Sequence, residues 1–169
     1  MNARGSSNAV LDSERLAADS RSFYEALSEL LRVYQFRDRD RICCYDVSIT
    51  QCYALEALAR DRAMTLNDLA SHLYLDKSTT SRVVDALERK GYVIRSEHPA
   101  DGRALRLKIT PAGRALHGRI LNDILAEEEA LLAEFSPEVR RSMTQVVIRL
   151  AKTAEGRLRS CGTGCCTQE

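Results

Sequence analysis

A chain of 169 residues holds about one domain at ~100–200 residues each, and its 44% hydrophobic and 29% charged content excludes a disordered protein. Aromatics at 5%, no Trp, 8 Gly and 3 Pro argue against a turn-rich all-β fold and for successive helices. The net charge of +1 alone points to neither nucleic acid nor membrane. No apolar run approaches the ~18 residues of a membrane span and the polar start lacks a signal-peptide core, so a cytoplasmic protein with no membrane partner is expected.

Residues 1–10 are expected to form a flexible tail. From 11 to 36 the pattern is helical, with Phe23, Leu27, Leu30, Leu31 and Tyr34 in one stripe at i, i+4, i+7, i+8 and i+11. The charged run 37–41 and the segment 42–49 read as a connection. Thr50 is expected to cap a second helix carrying Tyr53, Leu55, Leu58 and Ala59. Two short helices follow in tandem. Thr65 or Asn67 caps the first, whose apolar positions are Leu66, Leu69, Ala70 and Leu73. After a turn at 73–77, Asp76 or Ser78 caps the second, which turns Val83, Val84 and Leu87 inward and stops at Gly91.

Segments 92–96 and 104–109 read as short strands. In the latter Leu105, Leu107 and Ile109 alternate with Arg106 and Lys108, and Pro99, Asp101 and Gly102 supply hairpin chemistry between the two. Thr110-Pro111 opens a helix bearing Leu116, Ile120, Ile124, Leu131, Leu132 and Phe135. Ser136-Pro137 breaks it and starts the last one, where Val139, Met143, Val146, Val147, Leu150, Ala154 and Leu158 recur at helical spacing. Residues 161–169 form a Cys-rich tail.

The expected fold class is mainly α with a small β-wing. A winged helix-turn-helix occupies 46–110, and a helical dimerisation region comprises 11–45 and 111–160. A lone chain of this length has little with which to cover three long apolar stripes, so a symmetric homodimer is expected.

The neutral total hides a basic block. Across 77–108, Lys77, Arg82, Arg89, Lys90, Arg95, Arg103, Arg106 and Lys108 outnumber Asp85, Glu88, Glu97 and Asp101, whereas 121–139 contains no Lys or Arg. Such a block is either a solvated face or the local footprint a nucleic-acid partner needs. Its placement favours the second. The second tandem helix opens with Lys77, Ser78, Thr79, Thr80, Ser81 and Arg82, small hydroxyl residues able to approach base edges beside cations that favour phosphate. Arg103 near the hairpin tip suits the narrow minor groove, with Asp101 two residues away to orient its guanidinium.

From about residue 20 to 158 this order resembles the MarR family of winged-helix transcriptional regulators. The string 76–91, DKSTTSRVVDALERKG, is the most specific part. The wing pattern of Arg95, Asp101, Gly102 and Arg103 comes next, followed by Leu107, Ile109, Thr110, Ala112 and Gly113. The resemblance implies a dimer joined through its terminal helices, placing two recognition helices on double-stranded DNA at a palindromic operator, and a sensory site whose occupancy changes their spacing. By position, Ser78, Thr79, Thr80, Ser81 and Arg82 then touch bases or phosphates, Arg95 belongs to the wing contacts, and Arg103 enters the minor groove with Asp101 behind it.

Six cysteines form two trios, Cys43, Cys44 and Cys52, then Cys161, Cys165 and Cys166. In a chain with no secretion signal this grouping reads as reduced thiols. Three sulfurs suit a soft ion such as As(III), Hg(II), Zn(II) or Cu(I), or the thiols respond to an oxidant. Arg41 beside Cys43 favours a thiolate. The expected function is thus a repressor released when a thiophilic metal, metalloid or oxidant reacts with the cysteines. The alternative is a regulator of an aromatic or phenolic inducer whose cysteines are structural, Cys52 above all, since small buried thiols behave as hydrophobes. An enzyme is not expected: no Cys has an evident His partner and no Gly-rich phosphate loop occurs.

Overall fold

The computed structural model describes residues 3–61, 63–98 and 101–160, except for the side chains of 3–11, 43, 97–98, 101–105 and 158–160. The expected tail at 161–169 lies outside the described residues. Helix α1 spans Ala3–Ile42, so two expectations are corrected. The backbone expected as a flexible tail is helical from Ala3, since no Pro precedes residue 99 to break the ladder. The charged run 37–41 continues the helix as well. There Arg37 lies over the Tyr34 ring at 4.0 Å and Arg39 over Phe36 at 4.8 Å, i,i+3 contacts that a helix supplies. Ile42, 2% exposed, anchors its end in the core.

A 3-10 turn, Cys43–Tyr45, follows, with Asp46 left-handed at φ 54°, ψ 31°. Helix α2 spans Ile49–Arg60 and is capped by Ser48, not Thr50. The Ser48 hydroxyl accepts from Gln51 N, and the Gln51 side chain reaches back to the Ser48 amide. Strand β1 is Met64–Thr65. Thr65 then caps α3, Leu66–Leu73, in a second capping box with Asp68. Helix α4 spans Lys77–Arg89 and ends before Gly91 at φ 75°, where a side chain would be strained.

Strands β2, Val93–His98, and β3, Asp101–Ile109, pair antiparallel from Val93↔Ile109 to His98↔Asp101, with an irregularity between Glu97 and His98. Both are longer than expected. The two residues of β1 join β3 through Met64↔Leu107, so the wing is the outer part of a three-stranded sheet ordered β1-β3-β2. Helix α5 is Pro111–Leu132 and α6 is Pro137–Ser160.

The chain falls into two compact units, Met1–Ile124 and Leu125–Glu169. In the first, Leu55 and Leu58 from α2, Leu69 from α3, Val84 and Leu87 from α4, Val93 and Leu107 from the sheet, and Leu116 and Ile120 from α5 form one core, all at 2% exposure or less. Gly113 packs so closely on Tyr92 that an added Cβ would strike the Tyr92 carbonyl oxygen and lie 3.0 Å from Ile109 Cγ1. In the second unit, Ser136 caps α6, and Arg140 closes the preceding turn by donating to the carbonyls of Phe135 (2.8 Å) and Ala133 (3.4 Å). No helix among the described residues is long and apolar enough to cross a membrane.

Candidate nucleic-acid interface

The start of α4 is organised by one carboxylate. Asp76, the N-cap at φ −69°, ψ 157°, accepts from Ser78 Oγ at 2.6 Å, Thr79 Oγ1 at 2.7 Å and Thr79 N at 2.8 Å. These bonds, the Ser78 hydroxyl foremost, hold its carboxyl well below the usual carboxylate range. The helix N-terminus is therefore already occupied by an anion of its own chain. Lys77 follows this cap directly, and Arg82 stands one helical turn further along α4.

Lys77, Ser78 and Arg82 are exposed, and Thr79 and Ser81 are half-buried. Thr80 departs from expectation. It is fully buried, its hydroxyl donating to the Asp76 carbonyl at 2.9 Å, and belongs to the packing of α4 rather than to any outer surface. Arg95 also departs. Its guanidinium pairs with Asp85 at 2.5 Å and with Glu88, so it fastens β2 to α4. Such a two-carboxylate fork fixes the angle between strand and helix. Asp101 and Arg103 lie on β3, which puts them in the wing as expected.

Two features were missed in the sequence. Tyr74, 67% exposed, closes α3 in the left-handed conformation at φ 53°. An aromatic residue rarely takes this place, which Gly or Asn usually fills. At the other end of α4, Lys90 Nζ donates to the Asp46 carbonyl, and Thr110 Oγ1 donates to the Gly91 carbonyl at 2.7 Å. Neither pairing is legible before the chain folds, because the partners stand 44 and 19 residues apart.

The first cysteine trio divides. Cys44 is exposed, its thiol directed at the Asp40 carbonyl at 3.7 Å. Cys52 is buried at 5% exposure, and burial, with Glu56 and Asp38 adding to it, pushes its thiol up to about 11. Cys52 is thus a core residue and not a candidate inducer thiol. The Cys43 side chain and Cys161, Cys165 and Cys166 lie outside the described residues. Among the described residues no group of three His, Cys, Asp or Glu is placed to hold a metal ion. An open hollow of about 330 Å³ lies beside Arg39, Ile42, Val47, Ser48, Ile49 and Thr50 where α1 meets α2.

The family model that matches this chain is that of the MarR family, over residues 45–104. That stretch runs from the end of the 3-10 turn through α4 into the wing. The HTH-type transcriptional regulator BilQ of Clostridioides difficile is 30% identical over 97 residues, 56% of this chain. The chain spans 66% of the length of BilQ, just under two thirds. The HTH-type transcriptional regulator Mb0904 of Mycobacterium bovis is 32% identical over 145 residues, 83% of this chain and 96% of that protein. Among solved structures, the MarR family transcription regulator SP03579 shares the fold at TM-score 0.73 and 22% identity, over 85% of this chain and 97% of its own. With helix-turn-helix, wing and flanking helices in the same order over this length, the chain belongs to the MarR family of winged-helix transcriptional regulators.

Proposed function

We propose that the protein is a sequence-specific DNA-binding regulator, not an enzyme, acting as a symmetric homodimer on a palindromic operator as a repressor that an inducer releases. The presentation of Lys77, Ser78 and Arg82 on the outer side of α4, next to a β-hairpin pinned by Arg95, carries this reading. Two such units about a twofold axis would each place one α4 in a major groove and one wing, with Arg103, at the neighbouring minor groove. The unpartnered apolar stripes of α1 and α6 supply the surface for a second copy.

The inducer is a thiophilic ion, As(III), Hg(II), Zn(II) or Cu(I), or an oxidant. Cys44, accessible within the turn before α2, supports this, with Cys43 and the tail trio Cys161, Cys165 and Cys166 as further thiols. A second reading, an aromatic or phenolic inducer, rests on the hollow between α1 and α2. It is at the small end of the range for ligand sites, with mixed apolar lining and the Arg39 cation at hand.

The test begins with a duplex selected by the wild-type protein from randomised oligonucleotides. Arg103→Ala is expected to weaken binding to it by about 1–3 kcal/mol, and an unchanged affinity at moderate salt removes the wing from the interface. In the same assay arsenite releases the wild type, whereas a Cys161→Ser, Cys165→Ser, Cys166→Ser variant binds normally and is not released. Release by salicylate with arsenite inert selects the second reading. Failure to enrich any duplex overturns DNA recognition itself.

A further inference from the structure

The two ends of α4 are held very differently. Its reading end is capped from within, by Asp76. Its far end is tied into two other parts of the fold. On one side Thr110, just before α5, donates its amide to the Tyr92 carbonyl at 3.0 Å and its hydroxyl to the Gly91 carbonyl, while accepting from Gly113 N at 3.0 Å. On the other, Lys90 Nζ donates to the carbonyl of Asp46 and stands 3.4 Å from its carboxylate. Asp46 closes the 3-10 turn that follows α1. The preceding residue, Tyr45, donates its hydroxyl to Asp123 of α5, with the Arg119 guanidinium 5.8 Å from its ring centroid.

These bonds close a triangle. From Thr110 to Asp123 the rigid α5 runs about 20 Å at ~1.5 Å per residue. The other two sides are Asp123–Tyr45 to the turn and Asp46–Lys90 back to the end of α4. The Lys90–Asp46 ion pair is exposed and weak by itself. The carbonyl and tyrosine hydrogen bonds are exposed too, but they are directional and meet at neighbouring residues of one turn, so together they define how the end of α4 faces α5.

We propose that Lys90 and Tyr45 are positioning residues for the DNA-reading helix: through the Asp46 turn they fix α4 against the end of α1 and against α5, so that a change in those helices reaches α4 by this route. The inference rests on α4 being the reading helix. It adds to that reading the residues that set the helix's attitude.

The experiment has one arm without DNA and one with it. In hydrogen–deuterium exchange of the full-length protein, Tyr45→Phe removes a single hydroxyl whose bond is to α5 and retains the ring beside Arg119. The amides of residues 86–91 are expected to exchange about fivefold or more faster, the lower end of ordinary coupling between sites. Lys90→Met is expected to do the same and Lys90→Arg to restore protection. Altered exchange confined to residues 43–48, with 86–91 unchanged, overturns the proposal.

In the second arm, affinity is compared between the duplex selected by the wild type and that duplex with one base pair inserted between half-sites. The ratio reports how firmly the two reading helices are held apart. Tyr45→Phe and Lys90→Met are expected to reduce this discrimination about fivefold. If both affinities fall together with the ratio preserved, the residues are merely structural and the proposal fails. A wild type that selects no duplex refutes the DNA reading, and the exchange arm still decides whether the triangle acts on α4.

Discussion

Thr79 and Thr80 are adjacent and chemically identical, yet one helps to close the Asp76 cap at the edge of the candidate interface and the other is wholly buried. Thr80, Val84 and Leu87 stand at i, i+4 and i+7, the inner stripe of α4, so the signal for burial was in the sequence. The hydroxyl-rich string around it obscures that signal, because Thr carries a polar group as well as a methyl. Arg95 was illegible for a different reason. Its partners Asp85 and Glu88 become neighbours only when β2 folds back along α4. The cysteines show the same dependence on burial, since spacing grouped Cys44 with Cys52 and packing separates them. In the native protein at neutral pH, alkylation mapped by mass spectrometry is expected to label exposed Cys44 and to label Cys52 far more slowly, because burial both shields that thiol and disfavours its thiolate. Equal labelling would mean that the α2 core opens readily.

At the scale of elements, the helix start at Pro111 and the stop at Gly91 are legible because each depends on a few consecutive residues, whereas the sequence leaves Thr65 against Asn67 and Asp76 against Ser78 open and the structure selects Thr65 and Asp76. The sequence alone puts the cap of α2 at Thr50, two residues beyond Ser48. Ser48 and Thr50 are both good caps, and the reciprocal bond from Gln51 decides between them. The two-residue β1 could not be found by periodicity, since Met64 and Thr65 are too few to show one; they are a strand only because β3 lies alongside. The contact between Gly113 and Tyr92 is likewise tertiary, and it locks the start of α5 to the strand that leaves α4. Gly113→Ala is expected to lower unfolding free energy by about 1–3 kcal/mol in urea titration, the ordinary cost of overpacking. A smaller loss would show that Tyr92 can move aside.

The apolar stripes were legible over the whole molecule as well, and a single chain leaves them bare. Phe23, Leu27, Leu30 and Leu31 on α1 are exposed, as are Val139, Met143, Val146, Val147 and Leu150 on α6. Monomers seldom present apolar stripes as long as either of these to water. Leu27→Asp with Leu31→Asp is therefore expected to convert a dimer into a monomer in sedimentation equilibrium and to lower affinity for a two-half-site duplex by at least about a hundredfold, since each lobe then binds alone. A wild type already monomeric at micromolar concentration would remove the dimer from the mechanism. The length of α1 gives such an assembly a mechanical property. At ~1.5 Å per residue its 40 residues make a rod of about 60 Å. A tilt of about five degrees at one end of such a lever arm displaces the other by roughly 5 Å, nearly half the ~12 Å width of a major groove. Minute rearrangements where two copies meet would thus be magnified into engagement or withdrawal at the duplex.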